Sequence, residues 1–189
     1  MDQRAEEILE FWLEKIGPEG WYDPPAGLDD DIRARYADLW EEASAGRLDR
    51  WVVKPRGTLA LLILLDQFPR NMFRNEARAF ASDREARRVA KRAIGFGQDR
   101  QVSEVERQFF YLPLEHSEMG SDQARSVRMF MTVEDPESLV HARAHRDVIR
   151  RFGRFPTRNA ALGRICTRDE QAYLDAGGYA EAVARARAA

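Results

Sequence analysis

Residues 59–71 read LALLILLDQFPRN, a run of seven apolar residues followed by an acid, two amides and a base. Because an element this apolar must be removed from water, the run predicts a helix buried at the centre of the fold. Thr58 is expected to cap its start. Pro69 is expected to end it near Gln67 or Phe68, because proline disfavours the helical conformation of the residue before it. A buried helix that ends in polar groups is typical of the wall of a pocket.

Helical periodicity, capping residues and breakers on both sides of this run predict further helices. The predicted helices cover residues 2–16, 28–44, 58–68, 82–94, 103–112, 121–133, 136–152 and 167–177. Pro113 is expected to start or kink a short turn that holds residues 114–118. The sequence lacks sustained period-two alternation, so no sheet is expected. We therefore predict an all-α protein of about eight to nine antiparallel helices packed as hairpins around the central one. It is expected to be a single domain over residues 1–189, with a frayed tail at 178–189.

Composition excludes several classes of protein. The chain has 189 residues and a net charge of −2, with 44% apolar and 33% charged residues, which is typical of a globular domain. Nucleic-acid binding is not expected, because it needs a basic face that displaces counterions. No apolar run approaches the roughly 20 residues that cross a bilayer, and the N-terminus lacks the basic start of a signal peptide. With Cys166 as the only cysteine, we expect a cytoplasmic protein without disulfides or a membrane partner.

The polar end of the central run has a counterpart later in the chain. The first exit, residues 66–71 (DQFPRN), resembles a second exit, residues 155–159 (FPTRN), with one residue inserted after the proline. In one interpretation Phe-Pro ends a helix and pins the chain to the core. In the other, two similar helix ends face one pocket and each supplies an arginine and an amide. Asp66 also has two interpretations. Because a buried acid must be paired, it belongs either to a structural salt bridge or to a ligand site.

Three histidines supply candidates for chemistry. His116 lies between Glu115 and Glu118, where a histidine flanked by acids can serve as a general base or a metal ligand; the alternative is a histidine that only hydrogen-bonds the backbone. His141 and His145 are four residues apart on a predicted helix, a spacing that places two imidazoles on one face. The zinc-protease motif has glutamate directly after the first histidine, whereas this chain has alanine. No metal and no cofactor are therefore predicted, and His116 would complete a site only if the fold brings it close.

Arginines outnumber lysines by 27 to 3. This excess reflects either genomic base composition or a use of the planar guanidinium fork on carboxylates or phosphates. Arg151, Arg154 and Arg158 recur at spacings of three and four, which would form an anion site if the helix continued through Gly153; the alternative is pairing with the many acids. Cys166 is expected to be a packed thiol, because no base stands beside it.

Four longer blocks carry a family resemblance. They read LDQFPRNMFR (65–74), ARAFASD (77–83), RQFFYLPLEHSE (107–118) and HRDVIRRFGRFPTRNAALGR (145–164). Together they resemble the bacterial domain-of-unknown-function family 924. The resemblance implies an all-helical fold similar to the tetratricopeptide-like superfamily of helical hairpins, and it implies no established activity.

Most of the candidates above lie in these blocks. The matching residues are Asp66, Gln67, Arg70, Asn71, Glu115, His116, Ser117, Glu118, His145, Arg151, Arg154, Arg158 and Asn159. The chain departs from the pattern at Thr157, where members often have histidine, and at Cys166, where they often have serine; His141 lies outside the pattern. These departures weaken the case for a multi-histidine metal site and for a catalytic thiol.

The leading functional hypothesis is a protein that binds a small anionic ligand or an acidic peptide end. The predicted ligand contacts are Asp66, Gln67, Arg70, Asn71, His145, Arg151, Arg154, Arg158 and Asn159. The alternative is an enzyme of the hydrolase or transferase type, with His116 as general acid or base, Glu115 or Glu118 orienting it, and Arg154 stabilising developing charge. A third hypothesis is a protein-interaction scaffold with a purely structural polar network. The first two hypotheses expect the two exits to meet around His116.

Overall fold

The computed structural model describes residues 2–188, which form helices and connecting turns and contain no strand. The α-helices are α1 (Gln3–Leu9), α2 (Gly17–Tyr22), α3 (Leu28–Ser44), α4 (Pro55–Leu62), α5 (Phe68–Met72), α6 (Asp83–Gly95), α7 (Glu104–Glu115), α8 (Gly120–Phe130), α9 (Pro136–Phe152), α10 (Arg168–Asp175) and α11 (Tyr179–Ala188). Two π-helical turns, Glu10–Ile16 and Ile63–Gln67, join α1 to α2 and α4 to α5. Counted through these turns, residues 2–188 form nine helices, which confirms the all-α prediction.

The chain groups into two compact units. Among the described residues, unit 1 comprises residues 2–74 and 78–113, and unit 2 comprises residues 75–77 and 114–188. None of the helices in the described part of the chain has both the length and the apolar character needed to cross a bilayer. A single domain over residues 1–189 and a tetratricopeptide-like arrangement stay predictions.

The core of unit 1 forms around the central helix. Residues 59–65 are each at most 1% exposed, with α1 and α6 packed against α4, and α3 packed against α5. Beyond the π turn, the Phe68 ring lies 5.4 Å from the ring of Trp12 and 4.8 Å from that of Tyr36, measured between centroids. The predicted burial of the central run is therefore confirmed, and aromatic packing extends the core past it.

The start and the end of the central helix differ from the prediction. Thr58 does not cap it, because α4 begins at Pro55; the Thr58 hydroxyl is buried and donates to the side chain of Gln98 at 2.7 Å. Pro69 does not end it either. It lies in the first turn of α5, directly after the π turn, where a missing N–H breaks no helical hydrogen bond, so the helix continues to Met72.

A second proline was also expected to break its helix and does not. Pro113 lies inside α7, which continues to Glu115. The segment predicted as a turn from residue 113 therefore begins as helix, and only His116 and the residues up to Met119 form the connection to α8. This extension places the Glu115 side chain on the last turn of a regular helix.

Unit 2 is organised around α9, against which α8 and α11 pack. Its apolar cluster contains Val148, Ile149, Phe155 and Tyr173, each at most 6% exposed. The predicted caps of α9 and α10 are confirmed: Asp135 accepts hydrogen bonds from the backbone at the start of α9, and Thr167 forms a capping box with the glutamate three residues later. The tail that was expected to fray is helical as α11.

Candidate functional site

A turn between α7 and α8 carries the first half of the candidate site, and its backbone is held in place by buried side chains. Gln123 of α8, which is fully buried, donates from Nε2 to the carbonyl oxygens of Glu115 and Ser117. The Ser117 hydroxyl donates to Asp122 at 2.9 Å and accepts from the Met119 N–H at 3.1 Å. The last carbonyls of a helix have no partner within it, so Gln123 supplies one and fixes where the next residue, a histidine, lies.

The second half comes from α9 and α11. His145 Nδ1 lies 3.0 Å from Glu115 Oε1, 3.0 Å from the Tyr179 hydroxyl and 3.0 Å from the carbonyl oxygen of His141. The same hydroxyl lies 2.7 Å from His141 Nδ1. The His116 ring packs edge-on to the His145 ring, with centroids 6.0 Å apart. We call Glu115, His116, His145 and Tyr179 the histidine cluster.

Glu115 is the unusual member of this cluster. Its side chain is 3% exposed, and Oε2 is buried with no hydrogen-bond partner among the described residues. One ligand atom each from Glu115, His116 and His145 lie within 4.8 Å of one another, a grouping that could hold a metal ion. Both imidazoles are half-buried. The cluster therefore combines a sealed carboxylate with two rings that solvent reaches in part.

The second exit contacts this cluster through its arginine and its phenylalanine. Arg158 Nη2 donates to the carbonyl oxygen of His116 at 2.8 Å, and the guanidinium lies over the Phe155 ring at 4.6 Å. Phe155 in turn packs edge-on against the His145 ring at 5.4 Å. The arginine of this exit thus holds the turn that carries His116.

Glu118, predicted as an orienter of His116, has a different set of contacts. It accepts from Arg164 through both oxygens, at 2.8 and 2.9 Å, and from the Phe155 N–H at 2.9 Å. Burial alone would raise the pKa of Glu118, but the hydrogen bonds from Arg164 and Phe155 and the nearby positive charge outweigh it and lower that pKa. These contacts make Glu118 an anchor between the turn and the second exit, and Glu115 contacts the imidazole of His145.

The arginine predicted to bind an anion is bound to an acid within the chain. Arg154 donates to Glu170 from Nε at 2.6 Å and from Nη2 at 2.8 Å. Hydrogen bonds from Arg154, and then from the Thr167 backbone, lower the pKa of Glu170 to about 2. Asn159 Nδ2 lies 3.4 Å from Glu170 and 3.3 Å from Cys166 Sγ. Arg154 and Asn159 therefore complete the cap of α10, and the half-buried cysteine is packed beside it.

The remaining arginine of that predicted face, Arg151, is exposed and lies 4.7 Å from the Phe152 ring. Because Gly153 has a φ of +72° and ends α9, the helix does not continue to Arg154. The predicted anion site required one continuous helix that carries Arg151, Arg154 and Arg158 on the same face. The structure does not meet this condition.

The first exit lies in unit 1, where its polar groups form a network with acids. Asp66 is 1% exposed and accepts from Arg70 at 3.2 Å and from Gln67 at 2.6 Å. Arg70 also donates to Asp83 at 3.0 Å, and Asn71 donates to Asp29 at 2.8 Å. These contacts match the buried-salt-bridge interpretation of Asp66. The expectation that this exit also reaches His116 stays a prediction.

A surface cavity in unit 1 contains none of the predicted site residues. Its volume is about 480 Å³, and its lining is mostly apolar. The residues that line it are Asp2, Arg50, Trp51, Val53, Lys54 and Gly57. The titratable pair that lines it, Asp2 and Arg50, already forms an ion pair at 3.0 Å, so the histidine cluster remains the better candidate for chemistry.

Sequence reasoning missed two residues of the site. Tyr179 lies in the segment expected to fray, and Gln123 is one polar residue among many in α8. His141 was set aside as incidental, yet it contacts the same phenol as His145. The one available signal was the i, i+4 spacing of His141 and His145, which correctly placed two imidazoles on one face.

Comparisons with known proteins support the family assignment and the fold. A model of the family described as "Bacterial protein of unknown function (DUF924)" matches residues 8–178. The solved structure of a protein of unknown function from Agrobacterium tumefaciens is similar to this chain, with 43% sequence identity and a TM-score of 0.86. The match covers 90% of this chain and 96% of the other. No curated protein matches the chain.

Proposed function

The chain belongs to the bacterial DUF924 family, whose function is unknown, and from the geometry of its own residues we propose that it is an enzyme of the hydrolase or transferase type. The histidine cluster is its reaction centre. The observation that carries this proposal is the buried Glu115 carboxylate, which contacts His145 through one oxygen and has no partner for the other. Structural carboxylates that are buried normally have both oxygens satisfied, and exceptions concentrate at functional sites.

The arrangement supports acid–base chemistry. A buried carboxylate that hydrogen-bonds an imidazole fixes the orientation and the tautomer of the ring. His145 has this contact, and His116 lies beside it on a turn whose backbone is fixed by Gln123 and Arg158. In the proposed reaction, an imidazole removes the proton from an attacking hydroxyl group or water and later returns it to the leaving group.

The anion-binding hypothesis has less support. Arg70 and Arg154 each form ion pairs with buried or half-buried acids, so a bound anion would have to replace a carboxylate that is already in place. A purely structural scaffold has less support, because it assigns no role to a carboxylate and two imidazoles whose ligand atoms lie within 4.8 Å of one another. The cytoplasmic location and the lack of a nucleic-acid or membrane partner, both expected from the sequence, remain part of the proposal.

Turnover of ester and phosphoester substrates tests this function. The purified chain is screened against aryl acetates, aryl phosphates and phosphodiesters, and any activity is measured again in His145→Ala and Glu115→Gln. Each substitution is expected to lower kcat by about 100-fold or more, because general acid–base catalysis contributes factors of that size. Glu137→Gln, at an exposed acid in the same unit, should leave the rate unchanged.

The same screen includes a variant that separates the two leading hypotheses. Arg151→Ala removes an exposed guanidinium and is expected to leave turnover unchanged, whereas it should weaken binding if anion capture is the function. An absence of turnover across the panel, or rates that survive both His145→Ala and Glu115→Gln, would contradict the proposed enzyme.

A further inference from the structure

We propose that Glu115, His116 and His145 bind one divalent transition-metal ion, of which Zn²⁺ is the probe. This metal site deepens the proposed function and rests on it: with an ion bound, His116 and His145 would be its ligands, and a metal-activated water would take the place of the imidazole base. A bound metal would supply the Lewis acidity that activates a water or polarises a substrate oxygen. Metal binding itself can be measured without any turnover.

The donor set selects the class of metal. Two imidazoles and one carboxylate form a ligand set found in catalytic zinc sites, which keep one position open for water or substrate. Imidazole suits zinc, iron, copper and nickel, while calcium and magnesium prefer sites made of oxygens alone. The three protein ligands available here therefore favour a transition metal with an open coordination position.

The spacing of the donors is close to what a metal needs. The candidate ligand atoms lie within 4.8 Å of one another, whereas donors around a metal with bonds of roughly 2.0–2.2 Å are about 3–4 Å apart. Closing this difference requires side-chain rotation at His116, which lies in a turn and not in a helix. Glu115 and His145 are already joined at 3.0 Å.

The surroundings of His145 resemble the second layer of contacts around a metal ligand. A ligating histidine almost always donates its other ring N–H to a carboxylate or a backbone carbonyl, which fixes the nitrogen that faces the metal. The Tyr179 hydroxyl and the His141 carbonyl contact Nδ1 from outside the proposed ligand set. Glu115 also contacts Nδ1 and would exchange this contact for the ion. Nε2 is then the nitrogen that would face the ion.

The orphan carboxylate oxygen is an independent sign of a missing partner. Glu115 Oε2 is buried, and no described donor reaches it. A cation satisfies such an oxygen without needing a hydrogen-bond donor, and the negative charge of Glu115 offsets part of the charge of the ion. Arg164 pairs with Glu118, whereas the Glu115 carboxylate contacts His145 through one oxygen and has no described donor at the other.

Zinc titration of metal-stripped protein tests the site. The full chain is treated with a chelator, and Zn²⁺ is added under calorimetry, with Co²⁺ absorption as a second readout of coordination by nitrogen and oxygen. The expected result is one ion per chain. Glu115→Gln and His145→Ala are each expected to weaken binding by at least about tenfold. Cys166→Ser, which removes a potential sulfur ligand outside the site, should bind zinc as the parent does.

If Glu115→Gln or His145→Ala prevents folding, His116→Ala provides a second variant, because His116 is half-buried in a turn. Circular dichroism tests whether each metal-free variant is folded. Failure to bind Zn²⁺ at about 100 µM, or binding that survives both Glu115→Gln and His116→Ala, overturns the site. Turnover that is equal in metal-free and zinc-loaded protein overturns the role of the metal in the reaction and leaves the proposed acid–base enzyme standing. Binding of one zinc ion per chain without any turnover supports the metal site and contradicts the proposed enzymatic function.

Discussion

Gln123 should position the candidate site, because it is the residue that joins α8 to the turn before it. Its Nε2 donates to the carbonyl oxygens of Glu115 and Ser117, one on each side of His116. Gln123→Leu preserves the approximate size of the side chain and removes both donations. The carbonyl of Glu115 ends α7, so no backbone N–H within the helix can replace the lost partner.

The magnitude follows from these two bonds and from one offsetting change. A hydrogen bond contributes about 0.5–1.5 kcal/mol net, so two lost bonds correspond to a destabilisation of about 1–3 kcal/mol. The leucine also removes Gln123 Oε1, which is buried without a partner, and this gain offsets part of the loss. We therefore expect the free energy of unfolding to fall by about 1–2 kcal/mol.

Urea denaturation followed by circular dichroism measures this change. Gln171→Leu is the matched control, since Gln171 is exposed and donates only to Asp175 one helical turn away; it should alter stability by no more than about 0.5 kcal/mol. Zinc binding in Gln123→Leu should also weaken, because the carbonyls on both sides of His116 lose their fixed position. Stability and zinc affinity of Gln123→Leu equal to those of Gln171→Leu would refute the positioning role.

Three further predictions concern the fold. Phe68→Ala, in the core of unit 1, should lower the free energy of unfolding by about 3–5 kcal/mol in urea melts; a loss below 1 kcal/mol would contradict its assigned burial. Gly57→Ala should destabilise by about 1–3 kcal/mol, because its Cβ would overlap the Trp51 carbonyl oxygen, whereas Gly95→Ala, which meets nothing, should be neutral or stabilising. Glu170, with a pKa of about 2 instead of 4.5 because of its arginine hydrogen bonds, stabilises the fold above pH 4.5, and this contribution is lost as the pH falls toward 2. Glu170→Gln should therefore flatten the acid limb of a plot of Tm against pH, and an unchanged slope would show that the pair contributes nothing.

The fold was largely predictable where hydrophobic periodicity and capping act locally. Residues 59–65 are buried because a run that apolar has no exposed face to offer, and the caps at Asp135 and Thr167 depend only on neighbouring residues. The two proline errors share a cause. In each case proline was expected to end a helix. Pro69 instead lies in the first turn of α5, directly after a π turn, and Pro113 lies inside α7, which continues to Glu115.

The candidate site was predictable only in part, because its members come from three separate segments. Glu115 and His116 were found because a histidine beside acids is visible in one short segment. Their pairing with His145 depends on α7 reaching residue 115 and on α9 placing His145 beside it, and neither follows from local pattern. Tyr179 was not found at all, because nothing in the Ala- and Arg-rich tail indicates that the first residue of α11 enters a polar cluster.

The excess of arginine in the sequence led to the hypothesis of an anionic ligand. The contacts in the structure instead favour a positively charged ligand. Arg154 and Arg164 each use the two-pronged geometry of guanidinium on a glutamate of the same unit, which is the use of arginine that needs no ligand. Once these acids are matched, Glu115 is a carboxylate of the same unit that keeps one buried oxygen without a described donor. An orphan acceptor with a negative charge, set between two imidazoles, attracts a cation or a proton and repels an anion. The charge of a ligand is therefore better predicted from the charged group that lacks a partner in the site than from the most frequent charged residue in the sequence.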